Sequence, residues 1–519
     1  MEYEQIIKSI EKASHQAIEY LSNRSNLEKI GKITAISVAT YVAADTLYDA
    51  FFGPLCKIPG PFWSRFIDFP KFIYNRPSGT SYKAILGFHD KYGDVIRLGP
   101  KLIAVADKEM IKQILVTDDF PKATIYEVFQ KRGSHTLFST TDSIWHKKRR
   151  RVVSPAFSIK YLNSLEPFMT TVTESLVHKI DSDIANDHDE LNYGTVDIWN
   201  LVQRLALDVI GETAFGQTFH MVEDNSHFVP SAIGQEMKSS AISVMYPILS
   251  KFILPNGGKT DPRLQKFLTG VIEDRLHKTE GEKRKDILQF LIDVQHAADT
   301  DDSLTAESIM AETVLFLIAG SETTSNSIGF AIINLLRNPD KLKKLYEELD
   351  GVEREKGQMV FHHEQLKHLP YLNAVIQETL RVDSIAAAGL SRRAPTDTML
   401  AGRVYVPKDT TVICSLYHVQ KNDKYWPHAQ EFRPERWIEN EGQDEKNDLD
   451  AFFTFSAGSR NCIGKNFALQ EMRIAIATLL KTFEIKAIDQ EMEDAKDRRQ
   501  FITLTVPKNS FNVKIKRRN

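Results

Sequence analysis

Apolar residues recur at three- and four-residue steps through Ser164 to Ile180, Leu201 to Phe215 and Asp286 to Ala297, the spacing of helices that turn one face to a core. Short alternating runs read instead as strands bounded by turn residues: Asp94-Val95-Ile96-Arg97-Leu98, Val404-Tyr405-Val406 and Asn512-Val513-Lys514-Ile515. Helices outweigh strands. The pattern predicts a mainly α protein with a minor β region, its small sheets near both ends of the main body.

The longest periodic segment runs from about Thr305 to Arg337, opened by polar Ser303 and Thr305 and closed by Asn338-Pro339. Such a helix is on the order of 50 Å long, comparable to the width of a globule of this size, so it must cross the body rather than lie on it. The apolar run Val314-Leu315-Phe316-Leu317-Ile318 agrees. Ala319-Gly320-Ser321-Glu322-Thr323-Thr324 then interrupts it with a glycine that weakens a helix by about 1 kcal/mol relative to Ala, and with a carboxyl and hydroxyls that need partners. A locally opened helix facing a polar pocket would account for both.

The first 25 residues place Ile6, Ile10, Ala13, Ala17 and Leu21 at helical spacing among Glu and Lys, an amphipathic pattern. Glu2 and Glu4 exclude a secretory signal, whose start is cationic. A second stretch, Ile33 to Ala44, is apolar or weakly polar and continues through Asp45 and Asp49 to Phe51, Phe52 and Leu55; the two acids make it a poor spanning helix. Pro59-Gly60-Pro61 stiffens the joint that follows, and Phe62 and Trp63 suit a bilayer surface. Residues 1–58 are therefore expected to form an amphipathic segment and membrane anchor. Residues 59–519 are expected to form one continuous compact body, with no linker or repeat to divide them.

Composition narrows the chemistry. Of 519 residues, 42% are hydrophobic and 26% charged, which excludes a polytopic membrane protein and low-complexity disorder. The net charge of −3 offers no global pull toward nucleic acid. Cys56, Cys414 and Cys462 lie too far apart in sequence for a disulfide scaffold or a Cys-x-x-Cys zinc site.

Cys462 stands out from the other two. It leads from Phe455-Ser456-Ala457-Gly458-Ser459-Arg460-Asn461 into a helical pattern from Ala468 to Leu480, where unpaired N–H groups and the helix dipole favour a thiolate able to ligate iron. Gly458 and Gly464 allow close approach to something flat and large, and Arg460 can answer an anionic group on it. A buried structural cysteine is the commoner fate of a lone cysteine. A phosphate loop is excluded, because five residues rather than four separate Gly458 from Gly464-Lys465 and Asn466 replaces the required hydroxyl. No Gly-x-Gly-x-x-Gly, His-Glu-x-x-His or Gly-x-Ser-x-Gly occurs, so no nicotinamide or flavin fingerprint lies in the chain. Glu378 and Arg381, three apart on a helix opened by Pro370, can pair on one face, ordinarily a solvated ion pair. Phe432-Arg433-Pro434-Glu435-Arg436-Trp437 supplies an arginine that would extend the pair into a buried network pinning loop to core.

Taken in order, these motifs resemble the cytochrome P450 superfamily, the haem-thiolate monooxygenases, over about residues 59 to 517. Phe455, Gly458, Arg460, Cys462 and Gly464 match Phe-x-x-Gly-x-Arg-x-Cys-x-Gly. Ala319, Gly320, Glu322 and Thr323 match the motif of the family's long central helix. Glu378 and Arg381 match Glu-x-x-Arg, Pro434-Glu435-Arg436 the Pro-Glu-Arg element, Trp145 and Arg149 Trp-x-x-x-Arg, and Pro59 to Pro61 the hinge of membrane-bound members. The resemblance implies the P450 fold, with haem b between the long central helix and the cysteine loop. Cys462 would be the thiolate ligand of the haem iron, and Glu322 and Thr323 the catalytic pair delivering protons to dioxygen. Trp145, Arg149, Arg460 and Arg392 are expected near the haem propionates, with Arg393 as the substitute if the register slips. Glu378, Arg381 and Arg436 would be structural.

Where members of that family usually carry prolines after Glu-x-x-Arg, this chain reads Val382-Asp383-Ser384-Ile385-Ala386-Ala387-Ala388-Gly389, a small-sided segment. Phe316, Ala319, Ala386, Ala387 and Leu390 are expected to face a lipophilic substrate. The cationic run His146 to Arg151 suits an acidic electron donor better than a solvated face or nucleic acid. The expectation is a fungal-type microsomal hydroxylase of a steroid-like molecule, with fatty acids or terpenoids next. It would use O2 and electrons from an NADPH-cytochrome reductase, with cytochrome b5 as a further donor, its catalytic domain on the cytoplasmic side of the endoplasmic reticulum membrane. A haem-thiolate isomerase or synthase, or a haem sensor or carrier, shares the same ligand chemistry; the Glu322-Thr323 pair argues against both.

Overall fold

The computed structural model describes residues 24–69, 79–130, 135–246, 261–277, 284–297, 305–355, 357–438 and 446–518, with a few isolated positions besides. The amphipathic pattern of the first 25 residues and the opening Ser303 of the long helix fall almost wholly outside them.

The long helix spans Ala306–Arg337, capped by Thr305, whose hydroxyl accepts from the Ser308 N–H. From Ser321 to Leu336 nearly every residue is buried. The helix crosses the core and packs most extensively along the helix Ile198–Ile210. Closeness at that crossing is set by glycine. A Cβ on Gly329 would overlap the indole of Trp199, and one on Gly320 would sit 2.9 Å from Ile210 Cδ1. Gly320 therefore does not mark an opened turn, as the sequence suggested; the helix stays continuous through residues 319–324. Its hydroxyls are satisfied by bonding back one turn, Ser321 to the Leu317 carbonyl at 2.7 Å and Thr323 to that of Ala319 at 2.6 Å.

Around this axis lie the helices Ile159–Asn186, Pro370–Val382 and Lys465–Thr482. Their inward faces form one large core with the central helix. Among the described residues, two sheets of three or more strands flank it. The larger runs Val95–Gly99, Leu102–Val105, Thr411–Cys414 and Leu390–Arg393, with Leu102–Val105 parallel to Thr411–Cys414 and the outer pairs antiparallel. The smaller places Asn512–Arg517 between Gly194–Asp197 and Phe483–Lys486, all antiparallel. A short hairpin of Arg499–Gln500 and Leu504–Thr505 reaches the central helix from the carboxyl-terminal side.

At the amino end, Arg24–Phe51 is one 28-residue helix. Ile33, Ile36, Tyr41, Val42, Tyr48 and Phe51 on it are exposed. Among the described residues no helix is long and apolar enough to cross a membrane. The buried Arg97 holds the end of this helix to the larger sheet, donating to the Asp49 and Pro100 carbonyls at 3.3 and 3.2 Å.

Candidate functional site

The cysteine loop is built by its own sequence. Ser456 and Gly458 take positive φ, +60° and +70°, and a Cβ on Gly458 would overlap the Leu115 carbonyl oxygen. The sequence reading reserved this glycine for a flat ligand; backbone of the same chain occupies that approach. A Cβ on Gly464, by contrast, would meet nothing within 4 Å. The Cys462 N–H donates to the Phe455 carbonyl at 2.9 Å, closing the loop just before the helix Lys465–Thr482. The half-buried Phe455 ring carries the Lys465 ammonium 5.7 Å from its centre.

The Cys462 side chain is solvent-accessible, yet it sits so deep that burial is the largest influence on its thiol and raises its pKa. The Gly464 N–H and the charges of Arg150 and Lys465 pull the other way. Ala319 is likewise exposed although it lies mid-helix in a buried element.

A group of cations converges between the loop and the larger sheet. Arg460 is buried and donates to Ser143 Oγ at 3.1 Å and to the Thr140 carbonyl at 3.4 Å. Arg392, equally buried, forms an antiparallel bridge with Lys122 and donates to the Ser391 carbonyl at 3.1 Å. The Lys122 ammonium donates to the Phe138 and Leu137 carbonyls at 2.7 and 3.0 Å. Burial, then the charges of Arg392 and Arg460, push Lys122 well below the ordinary lysine range. His146 is driven down to about 3 by burial and by Arg460, Lys122, Arg150 and Arg392. Arg393 is exposed and faces Asp409 at 3.9 Å, so its neighbour Arg392 is the member of this pair that joins the group.

Trp145 and Arg149 lie on the helix Ser143–Val153, the guanidinium 4.8 Å from the indole centre. Arg150, not singled out from sequence, reaches the cysteine loop with two bonds to Asn461. The run His146 to Arg151 thus does not form one solvated stripe. His146 is buried and Arg149 and Arg150 are half-buried, leaving Lys147, Lys148 and Arg151 exposed.

On the central helix, Glu312 is fully buried and its two oxygens accept from the Leu137 N–H at 3.0 and 3.3 Å. Burial raises its carboxyl to about 7 against the opposing influence of Arg149, the Leu137 amide and Lys122. Glu322 accepts from the Thr503 hydroxyl at 2.6 Å through Oε1, while Oε2 is buried with no hydrogen-bond partner among the described residues. Burial raises this carboxyl as well, and the Thr503 bond partly offsets it. Phe316 packs edge-on against Phe157 at 5.2 Å, Ala387 is buried, and Ala386 and Leu390 are half-buried.

Glu378 anchors a separate network. Arg381 binds it bidentately at 2.8 and 2.9 Å, Arg436 Nε reaches Oε1 at 3.0 Å, and the Trp437 indole N–H reaches Oε2 at 2.9 Å. Burial alone would raise the Glu378 carboxyl; the bonds and charges of Arg381 and Arg436 outweigh it and hold the group below its usual range. Arg381 also donates to the Gln420, Ala429 and Glu431 carbonyls, so one ion pair holds both the end of the helix Leu416–Gln420 and the loop at 429–431.

A deep thiol and a buried cationic cluster, joined through Arg150 and Asn461, fit a metallated macrocycle carrying anionic groups. The family model for Cytochrome P450 matches residues 58–515. The chain is 35% identical over 449 residues, 85% of its length and 87% of the relative's, to "Cytochrome P450 monooxygenase acrD" of Aspergillus aculeatus. It is 32% identical to "Cytochrome P450 monooxygenase LUC2" of Fusarium sp, over 90% of each chain. It is 31% identical to "Cytochrome P450 monooxygenase FUS8" of Gibberella moniliformis, over 97% of this chain and 96% of that one.

Proposed function

The chain belongs to the cytochrome P450 family, and from that premise we propose that it hydroxylates a lipophilic small molecule with electrons drawn from a separate reductase. As a P450 monooxygenase it uses haem b, which supplies the iron chemistry that activates dioxygen. Cys462 would hold the iron as thiolate. Lys122, Arg392 and Arg460, and Trp145 and Arg149 of the helix Ser143–Val153, would answer the propionates.

The observation that carries hydroxylation is the Glu322-Thr323 pair on the central helix. Glu322 has one carboxyl oxygen without a partner among the described residues and a carboxyl raised by burial, so it suits taking up and passing on a proton at that atom. The Thr323 hydroxyl gives its hydrogen to the Ala319 carbonyl, leaving lone pairs to accept from a donor in the cleft. Buried Phe316 and the small-sided segment Ala386 to Leu390 favour an apolar substrate that is broad rather than narrow, a steroid-like molecule first, with fatty acids or terpenoids next.

Exposed Lys147, Lys148 and Arg151 lie on the same helix as Arg150, which holds the cysteine loop; they favour docking of an acidic donor, an NADPH-cytochrome reductase with cytochrome b5 as a second, on that side. The exposed apolar residues of Arg24–Phe51 favour a helix lying in the surface of the endoplasmic reticulum membrane, with the catalytic body on the cytoplasmic side. The test is a spin-state binding screen of steroids, fatty acids and terpenoids on the ferric protein, followed by turnover with the reductase and NADPH. A hydroxylated product formed only with reductase is expected; rearrangement of an oxygenated lipid without any reductase would overturn the reading.

A further inference from the structure

We propose that Thr503 is a positioning residue for Glu322, so that the carboxyl-terminal hairpin orients the acid of the central helix. The proposal rests on the reading of Glu322 as the proton-handling group and adds what holds it.

Glu322 and Asn326 are four residues apart and share one face of the central helix. Both reach the hairpin. The Thr503 hydroxyl donates to Glu322 Oε1 at 2.6 Å, and Asn326 Nδ2 donates to the Leu504 carbonyl at 3.0 Å. Adjacent hairpin residues are thus stapled to adjacent turns of the helix. The hairpin has little freedom of its own, because Leu504 and Thr505 pair with Gln500 and Arg499, and the Leu504 N–H donates to the Ile385 carbonyl at 3.0 Å. Just upstream, Arg498 pairs with buried Asp383 at 3.0 Å, and Asp383 accepts from Asn334 of the central helix at 2.9 Å. Backbone and ion pair therefore fix where the Thr503 oxygen sits before Glu322 meets it.

The consequence lies in the asymmetry of the carboxyl. One oxygen accepts from the Thr503 hydroxyl, and the other is buried with no hydrogen-bond partner among the described residues, so the two oxygens are no longer equivalent. Without Thr503 the side chain loses the contact that distinguishes its two oxygens, and both are left buried and unbonded. The hairpin also links the central helix to the segment Val382 to Gly389, since Leu504 donates to the Ile385 carbonyl and accepts from Asn326.

The experiment uses the haem-loaded ferric protein and three variants, Thr503→Val, Thr503→Ser and Glu322→Gln. Infrared titration follows the carboxyl band that is absent in Glu322→Gln. In Thr503→Val its midpoint moves up by about one pH unit, the size of a lost hydrogen bond to a charged group, while Thr503→Ser stays with the parent. Peroxide released per electron, measured with a ligand taken from the spin-state screen, rises severalfold in Thr503→Val with KM unchanged and is restored by Thr503→Ser. An unmoved midpoint in Thr503→Val, with Glu322→Gln still raising peroxide, overturns the positioning role alone. Unchanged peroxide in Glu322→Gln overturns the proton-handling reading beneath it. Thr503→Ala replaces Thr503→Val if the latter does not retain haem.

Discussion

Arg150 donates two hydrogen bonds to Asn461, at 2.8 Å to its backbone carbonyl and at 2.7 Å to its side-chain oxygen. Asn461 immediately precedes Cys462, so the helix Ser143–Val153 grips the loop next to the sulfur rather than at its far end. Bonds from a charged donor are worth about 1.5–3 kcal/mol when protected, and this pair is partly exposed, which places it at the low end. Arg150→Ala is expected to retain the fold but lose haem roughly tenfold faster, read as decay of the Soret band in the presence of a haem acceptor. Arg150→Lys should recover little of the loss, because a single ammonium cannot reproduce the forked contact.

Gly329 tests the packing of the central helix. On propensity alone Gly329→Ala would add about 1 kcal/mol of stability. The added methyl would overlap the Trp199 ring, which is fully buried and itself edge-on to Phe330 at 5.1 Å. Overpacking of this kind costs about 1–3 kcal/mol, so the clash decides the sign. A lowered thermal midpoint is expected, and a raised one would show that the two helices separate freely.

What could be read from the chain follows what is local. The central helix was legible to within a residue, because its cap Thr305 and its stop Asn338-Pro339 are neighbours of the turns they end. The cysteine loop and the Glu378-Arg381 pair were legible for the same reason. Gly320 was misread as an opening because its partner, Ile210, is brought beside it only by packing of two helices far apart in sequence. Lys122, Glu312 and Thr503 gave no signal. Each is a single polar residue without diagnostic spacing, and each acquires its surroundings from segments that the fold alone brings near.

Replacing Glu378 separates a paired buried charge from a surface one. Donors from four residues, the side chains of Arg381, Arg436 and Trp437 and the backbone N–H of Arg433, converge on its two oxygens. Glu378→Ala leaves buried Arg381 uncompensated, a change that costs about 3–5 kcal/mol. Expression should yield little haem-bearing protein, measured as the ratio of Soret absorbance to total chain, and Glu378→Asp should restore part of it. A fully loaded Glu378→Ala protein would show that the loop carbonyls alone hold Arg381.

Glu312 makes stability depend on pH. Its folded carboxyl titrates near 7 against an ordinary value of 4.5, so the unfolded chain releases this proton first as pH rises. The stability associated with the protonated group is fully present below about pH 4.5 and is lost as pH climbs through about 7. Glu312→Gln carries no such proton and should flatten that part of the profile, by about 3 kcal/mol at most across the window. Chemical denaturation of both proteins from pH 4.5 to 8 checks it. Parallel curves would mean that the Leu137 amide and the charges of Arg149 and Lys122 keep Glu312 ionised throughout.

Thr323 is held with its hydrogen already committed. At 2.6 Å from the Ala319 carbonyl, the hydroxyl forms a bond that the helix itself supplies, so its oxygen is left with lone pairs to accept. Thr323→Ser retains both the bond and the acceptor and should couple electron use to product within about twofold of the parent. Thr323→Val keeps the shape of the side chain and removes only the oxygen, which isolates the acceptor from packing. It should hold haem normally, show the same thiolate-type Soret band with carbon monoxide, and divert most reducing equivalents to peroxide. The comparison also separates Thr323 from Glu322, because Glu322→Gln should slow proton-dependent turnover and change its pH profile, whereas Thr323→Val should raise peroxide at every pH. Equal coupling in Thr323→Val and the parent would leave the hydroxyl with no part beyond its bond to Ala319.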